Sequence, residues 1–303
     1  MNKNINNIVM TGVSSGIGLH AINKITKQLN TKIIVGARDC RKKMPENVQI
    51  IPLDLASLSS VRTFAEQLIK ELNGGIDLLV LNAGMQNVAS NEKSEDGYEL
   101  TFAVNHLAHY LLIQLLLPHM STESRIIITT SDTHDPAVTP IAPKILDVQE
   151  LTYPSKSGFG SGIRAYASSK LCNILTAFSL SKLEQIKTKH IRIIAFNPGF
   201  TVGTSLGRNA SFTSKMIMYA LIHTVFRIIS LFKPEYVMST PEKSGGVLAD
   251  ICLETLRIPA DKIYISLVKG KPSYPEPSEL AKDAQAQIEL WEKSHTLVQL
   301  NTF

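Results

Sequence analysis

Aliphatic and β-branched side chains fall in short, nearly unbroken runs along this chain, at residues 5–11, 32–36, 48–53, 78–82, 125–130, 191–196 and 262–267. Runs of that length with little polar alternation predict strands buried on both faces. Between them the apolar positions take up the three-and-four spacing of helices, at 17–29, 57–72, 98–117 and 165–178. Strand alternating with helix predicts an α/β fold built on a doubly wound parallel sheet with right-handed crossovers. No internal repeat or low-complexity linker interrupts the rhythm, so residues 1–303 are expected to form a single domain. The rhythm breaks at 200–236, which is expected to be a helical substrate lid inserted within it.

Composition narrows the function classes. At 303 residues, with 44% hydrophobic and 19% charged residues, the chain can bury a sizeable core. Its net charge of +5 comes without a concentrated basic block, Arg41-Lys42-Lys43 being the densest cluster. That argues against a nucleic-acid partner. The three cysteines, Cys40, Cys172 and Cys252, have no CxxC spacing, which points to a reducing, cytoplasmic compartment. No secretory leader is expected from the Asn-rich N-terminus. The longest apolar stretch, 216–232, lies between Lys215 and Lys233 and is broken by His223 and Arg227. Its length is at the lower limit of a membrane span. An amphipathic helix over a pocket is expected there, with peripheral membrane contact as the second reading.

The first strand runs into Thr11-Gly12-Val13-Ser14-Ser15-Gly16-Ile17-Gly18, which opens the first helix. Glycines at such a junction let backbone approach a pyrophosphate, and the helix N-terminus offers unpaired N–H groups to its charge. The spacing is G-x-x-x-G-x-G, a variant of the Rossmann dinucleotide fingerprint. The second strand ends at Arg38-Asp39. An arginine there accommodates a ribose 2′-phosphate and a carboxylate bonds the free 2′-hydroxyl, so Arg38 favours NADP(H) over NAD(H) while Asp39 keeps the second open. Asp54-Leu55 follows the third strand; Asp54 either bonds an adenine amino group or begins the turn into the next helix. Asn82-Ala83-Gly84 ends the fourth strand with residues small enough to pack against a cofactor.

Asn105 stands in an otherwise apolar helix and needs hydrogen-bond partners there. His106 and His109 have the i, i+3 spacing of a metal pair, but no carboxylate or cysteine accompanies them, and no metal is expected. Ser131 follows an isoleucine-rich strand at the ligand-binding edge of the sheet. It lacks a nucleophile-elbow context and reads as a hydrogen-bond donor to a carbonyl oxygen. Tyr166 and Lys170 lie four apart on one helix, hence side by side. A nearby ammonium favours the phenolate and brings a phenol of ordinary pKa ~10 closer to acid–base work near neutrality.

Assembled in order, Thr11–Gly18, Asn82-Ala83-Gly84, Asn105, Ser131, Tyr166-x-x-x-Lys170 and Pro198-Gly199 resemble the short-chain dehydrogenase/reductase family across essentially the whole chain. Within it, Leu53-Asp54-Leu55-Ala56-Ser57-Leu58, Asn105-His106-Leu107-Ala108-His109-Tyr110 and Leu290-Trp291-Glu292-Lys293-Ser294 are similar to the protochlorophyllide oxidoreductase and retinol dehydrogenase-like branch. The resemblance implies an NADP(H)-dependent oxidoreductase interconverting a small apolar alcohol and its aldehyde or ketone. Tyr166 would be the general acid and base, Lys170 would lower its pKa and hold the nicotinamide ribose, Ser131 would orient the carbonyl, and Asn105 would anchor a water leading to solvent. Gly12, Ser14, Ser15, Gly16, Ile17 and Gly18 would cradle the dinucleotide. Arg38 would meet the 2′-phosphate, and Asp54 with Leu55 the adenine. Asn82, Ala83 and Gly84 would pack on the cofactor, with Pro198, Gly199 and Thr201 facing the nicotinamide. A homo-oligomer is expected on the same basis. Two other functions remain open: a light-dependent C=C reductase of a chlorin, for which Cys172 speaks and the short segment 132–164 speaks against, and a non-catalytic NADP-binding protein.

Overall fold

The computed structural model describes residues 5–29, 31–41, 44–87, 90–156, 158, 160–203 and 234–299. Eight strands form one sheet in the order β3-β2-β1-β4-β5-β6-β7-β8. They are β1 (Asn7–Thr11), β2 (Lys32–Ala37), β3 (Val48–Pro52), β4 (Ile76–Leu81), β5 (Met120–Thr129), β6 (Arg192–Asn197), β7 (Tyr264–Val268) and β8 (Lys271–Ser273). β1 to β7 are parallel, and β8 folds back antiparallel on β7. Every residue of β1 and β4 is buried, as expected of central strands covered by helices on both faces.

The larger helices, in chain order, are α1 (Gly16–Gln28), α2 (Leu58–Glu71), α3 (Leu100–His119), α4 (Ser161–Lys182), α5 (Pro241–Cys252) and α6 (Ala284–Leu297). One core, including Ile22, Ile25, Leu248 and Ile251, lies under α1 and α5; the other, including Phe64, Leu111, Leu175 and Leu290, lies under α2, α3, α4 and α6. α3 is apolar and long enough to cross a membrane, but 78% of its apolar window is buried inside the protein, so its hydrophobicity serves the core.

Sheet order reverses between β1 and β4. In open α/β sheets ligands bind at that switch point, beyond the carboxyl ends of the strands. The turn after β1 and the Asn82–Gly84 turn after β4 meet there.

Three expectations need correction. α4 runs from Ser161 to Lys182, longer at both ends than 165–178. α5 and α6 lay outside the helical pattern, as did β8. The long central helix contains a π-helical turn, Ala103–Leu107, which apolar spacing does not reveal. Of the expected lid at 200–236, residues 204–233 lie outside the described residues, including the apolar stretch 216–232. Its first residues pair with Ser239, just beyond its far end: Ser239 N–H donates to Phe200 O at 2.8 Å and Val202 N–H to Ser239 O at 3.2 Å.

Adjacent glycines in α5 play opposite parts. A Cβ on Gly245 would lie 2.5 Å from Ile17 O and 2.7 Å from His20 Cβ, whereas one on Gly246 would meet nothing within 4 Å. Gly245→Ala is therefore expected to destabilise the fold by about 1–3 kcal/mol through overpacking. Gly246→Ala is expected to be neutral or to stabilise by up to about 1 kcal/mol through helix propensity. Urea unfolding of the two variants checks the contrast.

Candidate active site

A groove of about 550 Å³ opens over the switch point, between the turn after β1, the ends of β2 and β3, the Asn82–Gly84 turn and α4. The β1 turn contributes Gly12, Ser14, Ser15, Gly16 and Ile17, and the ends of β2 and β3 contribute Arg38, Asp54 and Leu55. Asn82, Ala83 and Gly84 form one wall, with Tyr166, Lys170 and Pro198 at the far end. Thr129 and Thr130, at the ligand-binding edge beside Ser131, also border the groove, as do Met85 and Gln86, which sequence reasoning missed and whose neighbours in the chain were the only signal.

The floor is pinned by two side chains. Thr11 Oγ1 accepts from the backbone N–H groups of Asn82 and Ala83, each at 3.1 Å. Asn82 Nδ2 donates to Gly12 O at 3.0 Å, and Asn82 Oδ1 accepts from the Thr129 hydroxyl at 3.2 Å. Asn82 thus laces together the ends of β1, β4 and β5. Gly12 has φ 72°, and a Cβ there would lie 2.5 Å from Ala83 Cα, so only glycine fits. Gly18 lies beneath the groove, where a Cβ would come within 2.1 Å of Gly12 O.

At the rim, Asp39 accepts from the backbone and side chain of Arg41 at 3.1 and 3.0 Å. Arg38 makes no hydrogen bond or ion pair with the described residues. Asp54 Oδ1 accepts from Ala56 N–H at 3.0 Å, so one carboxylate oxygen begins the turn toward α2. Both of the roles open to Asp54 remain compatible with that geometry.

Tyr166 and Lys170 lie side by side on α4, 9% and 2% exposed, with Lys170 Nζ 5.5 Å from the centre of the phenol ring. Lys170 Nζ donates to Thr129 O at 3.2 Å, and a Cβ on Gly84 would be 3.3 Å from it. Burial lowers the Lys170 pKa to about 8. Burial also pushes the Tyr166 phenol above its ordinary value; the Ser131 hydroxyl opposes that rise and Asp132 adds to it. The expectation that Lys170 lowers the phenol below its ordinary value is thereby corrected, because desolvation disfavours the phenolate more than its surroundings stabilise it.

Ser131 donates to Asp132 Oδ1 at 3.3 Å and accepts from Thr133 N–H at 3.3 Å. Beside it a cavity of about 390 Å³ is walled in part by Asp132, Asp135, Glu235 and Glu276. Burial raises Asp132 to about 6, against hydrogen bonds from Ser131 and Asn197. The described wall mixes these carboxylates with Ala137, Val138, Tyr264, Val268 and Pro275, whereas the expectation of an apolar pocket rested on 216–232, outside the described residues.

Asn105 lies under the groove in the π turn. Its Oδ1 accepts from Met85 N–H at 2.8 Å, while its Nδ2 donates to Met85 O at 2.9 Å and to Ser169 Oγ at 3.0 Å. Gly199 and Thr201 do not border the groove. The Thr201 hydroxyl lies 3.0 Å from Pro198 O and 2.9 Å from Ser244 Oγ. His106 Nε2 is paired with Ser294 Oγ at 2.8 Å. Cys172 is fully buried in the core, and burial raises its thiol, which makes it a packing residue.

The arrangement fits a nicotinamide dinucleotide. The glycine turn brings backbone to the groove, and α1 presents an N-terminus with no acidic side chain in its first turn, which suits a pyrophosphate. A family model described as short chain dehydrogenase matches residues 6–139. Retinol dehydrogenase 13 of Mus musculus is 30% identical over 305 residues, covering 97% of this chain and 84% of that protein. Protochlorophyllide reductase B of Hordeum vulgare is 29% identical over 97% of this chain and 79% of its own length. The NADPH-bound carbonyl reductase from chicken fatty liver shares the fold, with TM-score 0.56 and 19% identity over 82% of this chain and 87% of its own. The chain belongs to the short-chain dehydrogenase/reductase family, and is an NAD(P)-dependent oxidoreductase.

The ammonium of Lys170 is lost as pH rises through about 8, while Tyr166 keeps its proton well beyond. In the reductive direction kcat/KM, which reports the free enzyme, is expected to hold below pH 8 and fall above it. An ordinary lysine would place that limb at ~10.4. A pH–rate profile locates it.

Proposed function

We propose that the protein is an NADP(H)-dependent carbonyl reductase or alcohol dehydrogenase in which Tyr166 is the general acid and base. The observation that carries this reading is that Tyr166 and Lys170 stand together at one end of a dinucleotide groove, with the Ser131 hydroxyl against the phenol. When bound, the dinucleotide supplies or accepts the hydride. Tyr166, held protonated by burial, gives its proton to the carbonyl oxygen during reduction. Lys170 then stabilises the phenolate left behind, and Ser131 orients the carbonyl. In oxidation the same groups act in reverse.

Arg38 supports NADP(H): its guanidinium has no hydrogen bond or ion pair among the described residues, whereas the Asp39 carboxylate already serves Arg41. For the substrate we favour a small alcohol or carbonyl with an apolar body, on the strength of Met216, Met218, Tyr219, Phe226 and Phe232 in the segment 200–236. The name of the mouse relative, a retinol dehydrogenase, agrees with an apolar alcohol. The chlorin alternative rests on Cys172 and on the likeness to a protochlorophyllide reductase, and the short segment 132–164 stands against it.

NADPH oxidation across aldehydes, ketones and retinoids tests the reading, with two variants beside the parent. Tyr166→Phe is expected to lose about 10²–10⁴-fold in kcat with its NADPH dissociation constant unchanged. Arg38→Ala is expected to weaken NADPH about tenfold or more, the scale of a lost charge-assisted bond, and to leave NADH affinity unaltered. Unchanged turnover in Tyr166→Phe would remove the acid assignment, and equal effects on both dinucleotides would remove the preference for NADP(H).

A further inference from the structure

Among the buried titratable groups that the proposed reaction does not use, His109 touches both halves of the site. Its ring is 2% exposed. Nε2 lies 3.1 Å from Thr11 Oγ1, and Nδ1 lies 3.3 Å from the backbone oxygen of Asn105. Burial, followed by the charge of Lys170, lowers the imidazole to about 3, so one ring nitrogen carries a proton and the other does not.

Which nitrogen carries it follows from counting. The Thr11 hydroxyl already accepts from two backbone N–H groups, those of Asn82 and Ala83. A hydroxyl has two acceptor lone pairs and one proton, so that proton goes to the remaining neighbour, Nε2. The ring hydrogen is therefore on Nδ1 and is donated to the Asn105 carbonyl. That carbonyl belongs to the π turn, where Ala108 N–H reaches back five residues to Ala103 O. Such turns interrupt the regular helical ladder and are frequent at functional sites. From Asn105 the connection continues through Ser169, whose hydroxyl donates to Tyr166 O at 2.7 Å.

We propose that His109 is a positioning residue whose ring ties the floor of the dinucleotide groove, through Thr11, to the π turn that carries Asn105. It fixes the separation between the cofactor's seat and the Tyr166–Lys170 end of the site. The proposal rests on the reductase reading above and assigns the second histidine of Asn105-His106-Leu107-Ala108-His109 a part in positioning rather than in metal binding.

The two ring nitrogens can be replaced separately. Asparagine at 109 keeps a donor near the Nδ1 position, and glutamine reaches toward the Nε2 position with an acceptor. His109→Asn is expected to lose mainly NADPH affinity, and His109→Gln mainly kcat, each by about two- to tenfold, the scale of one hydrogen bond. His109→Phe is expected to lose both. Stopped-flow turnover and NADPH fluorescence titration, normalised to folded protein by circular dichroism, separate the two effects. Parallel losses in all three variants that track only their melting temperatures, or a Phe variant matching the parent in both quantities, would overturn the proposal. If the histidine variants do not fold, the parent decides: long-range 15N NMR of the His109 ring showing the Nδ1–H tautomer supports the link, and the Nε2–H tautomer overturns it. NADPH affinity is read without turnover, so a parent that reduces no carbonyl would defeat the reductase reading while the affinity comparison still tests His109.

Discussion

Burying an ammonium group with only 2% of its residue exposed is expensive unless the protein supplies partners, and the site is arranged around that cost. Lys170 has a backbone carbonyl at 3.2 Å, the Tyr166 ring beneath it, and the small Gly84 opposite. The carbonyl belongs to Thr129, the last residue of β5, so the charge is anchored to the sheet itself. α4 must then lie close against that edge, which its buried face of Ala167, Leu171, Ile174 and Leu175 achieves. The same residues that pack the helix thus place phenol and ammonium over the groove.

The rest of the site follows from holding strand ends together. Parallel strands leave carboxyl ends with unpaired groups, and here they are paired by side chains: Thr11 to the turn after β4, Asn82 to β1 and β5, Thr130 Oγ1 to Lys170 O at 2.9 Å. Rigid elements positioned this way place catalytic groups more precisely than free loops do. Asn197 plays the same part at the end of β6, accepting from Gly199 N–H at 3.0 Å and donating to Ser266 Oγ at 2.9 Å.

Much of this was legible in the chain because it is encoded locally. The glycine turn, the Tyr166–Lys170 spacing and the seven parallel strands each need only neighbouring residues to be recognised. Long-range features were not. β8 is three residues without apolar pattern and exists because the chain after β7 turns back on it. α5 carries two adjacent glycines that argue against a helix, and one of them is required by the close approach to α1. The π turn leaves no mark in periodicity. The direction of the Tyr166 shift depends on how completely the folded protein excludes water, which spacing cannot tell. Arg38 was favoured over Asp39 in the sequence, but that Arg41 occupies the Asp39 carboxylate shows only in the fold.

The central claim is that the fold holds a desolvated, titratable ammonium beside a protonated phenol. Lysine-selective NMR titration of the free protein tests it most directly, with a Lys170→Arg variant to assign the resonance. The account predicts that the Lys170 signal titrates near 8, well below exposed lysines at ~10.4. A Lys170 resonance that titrates together with the exposed lysines would contradict it.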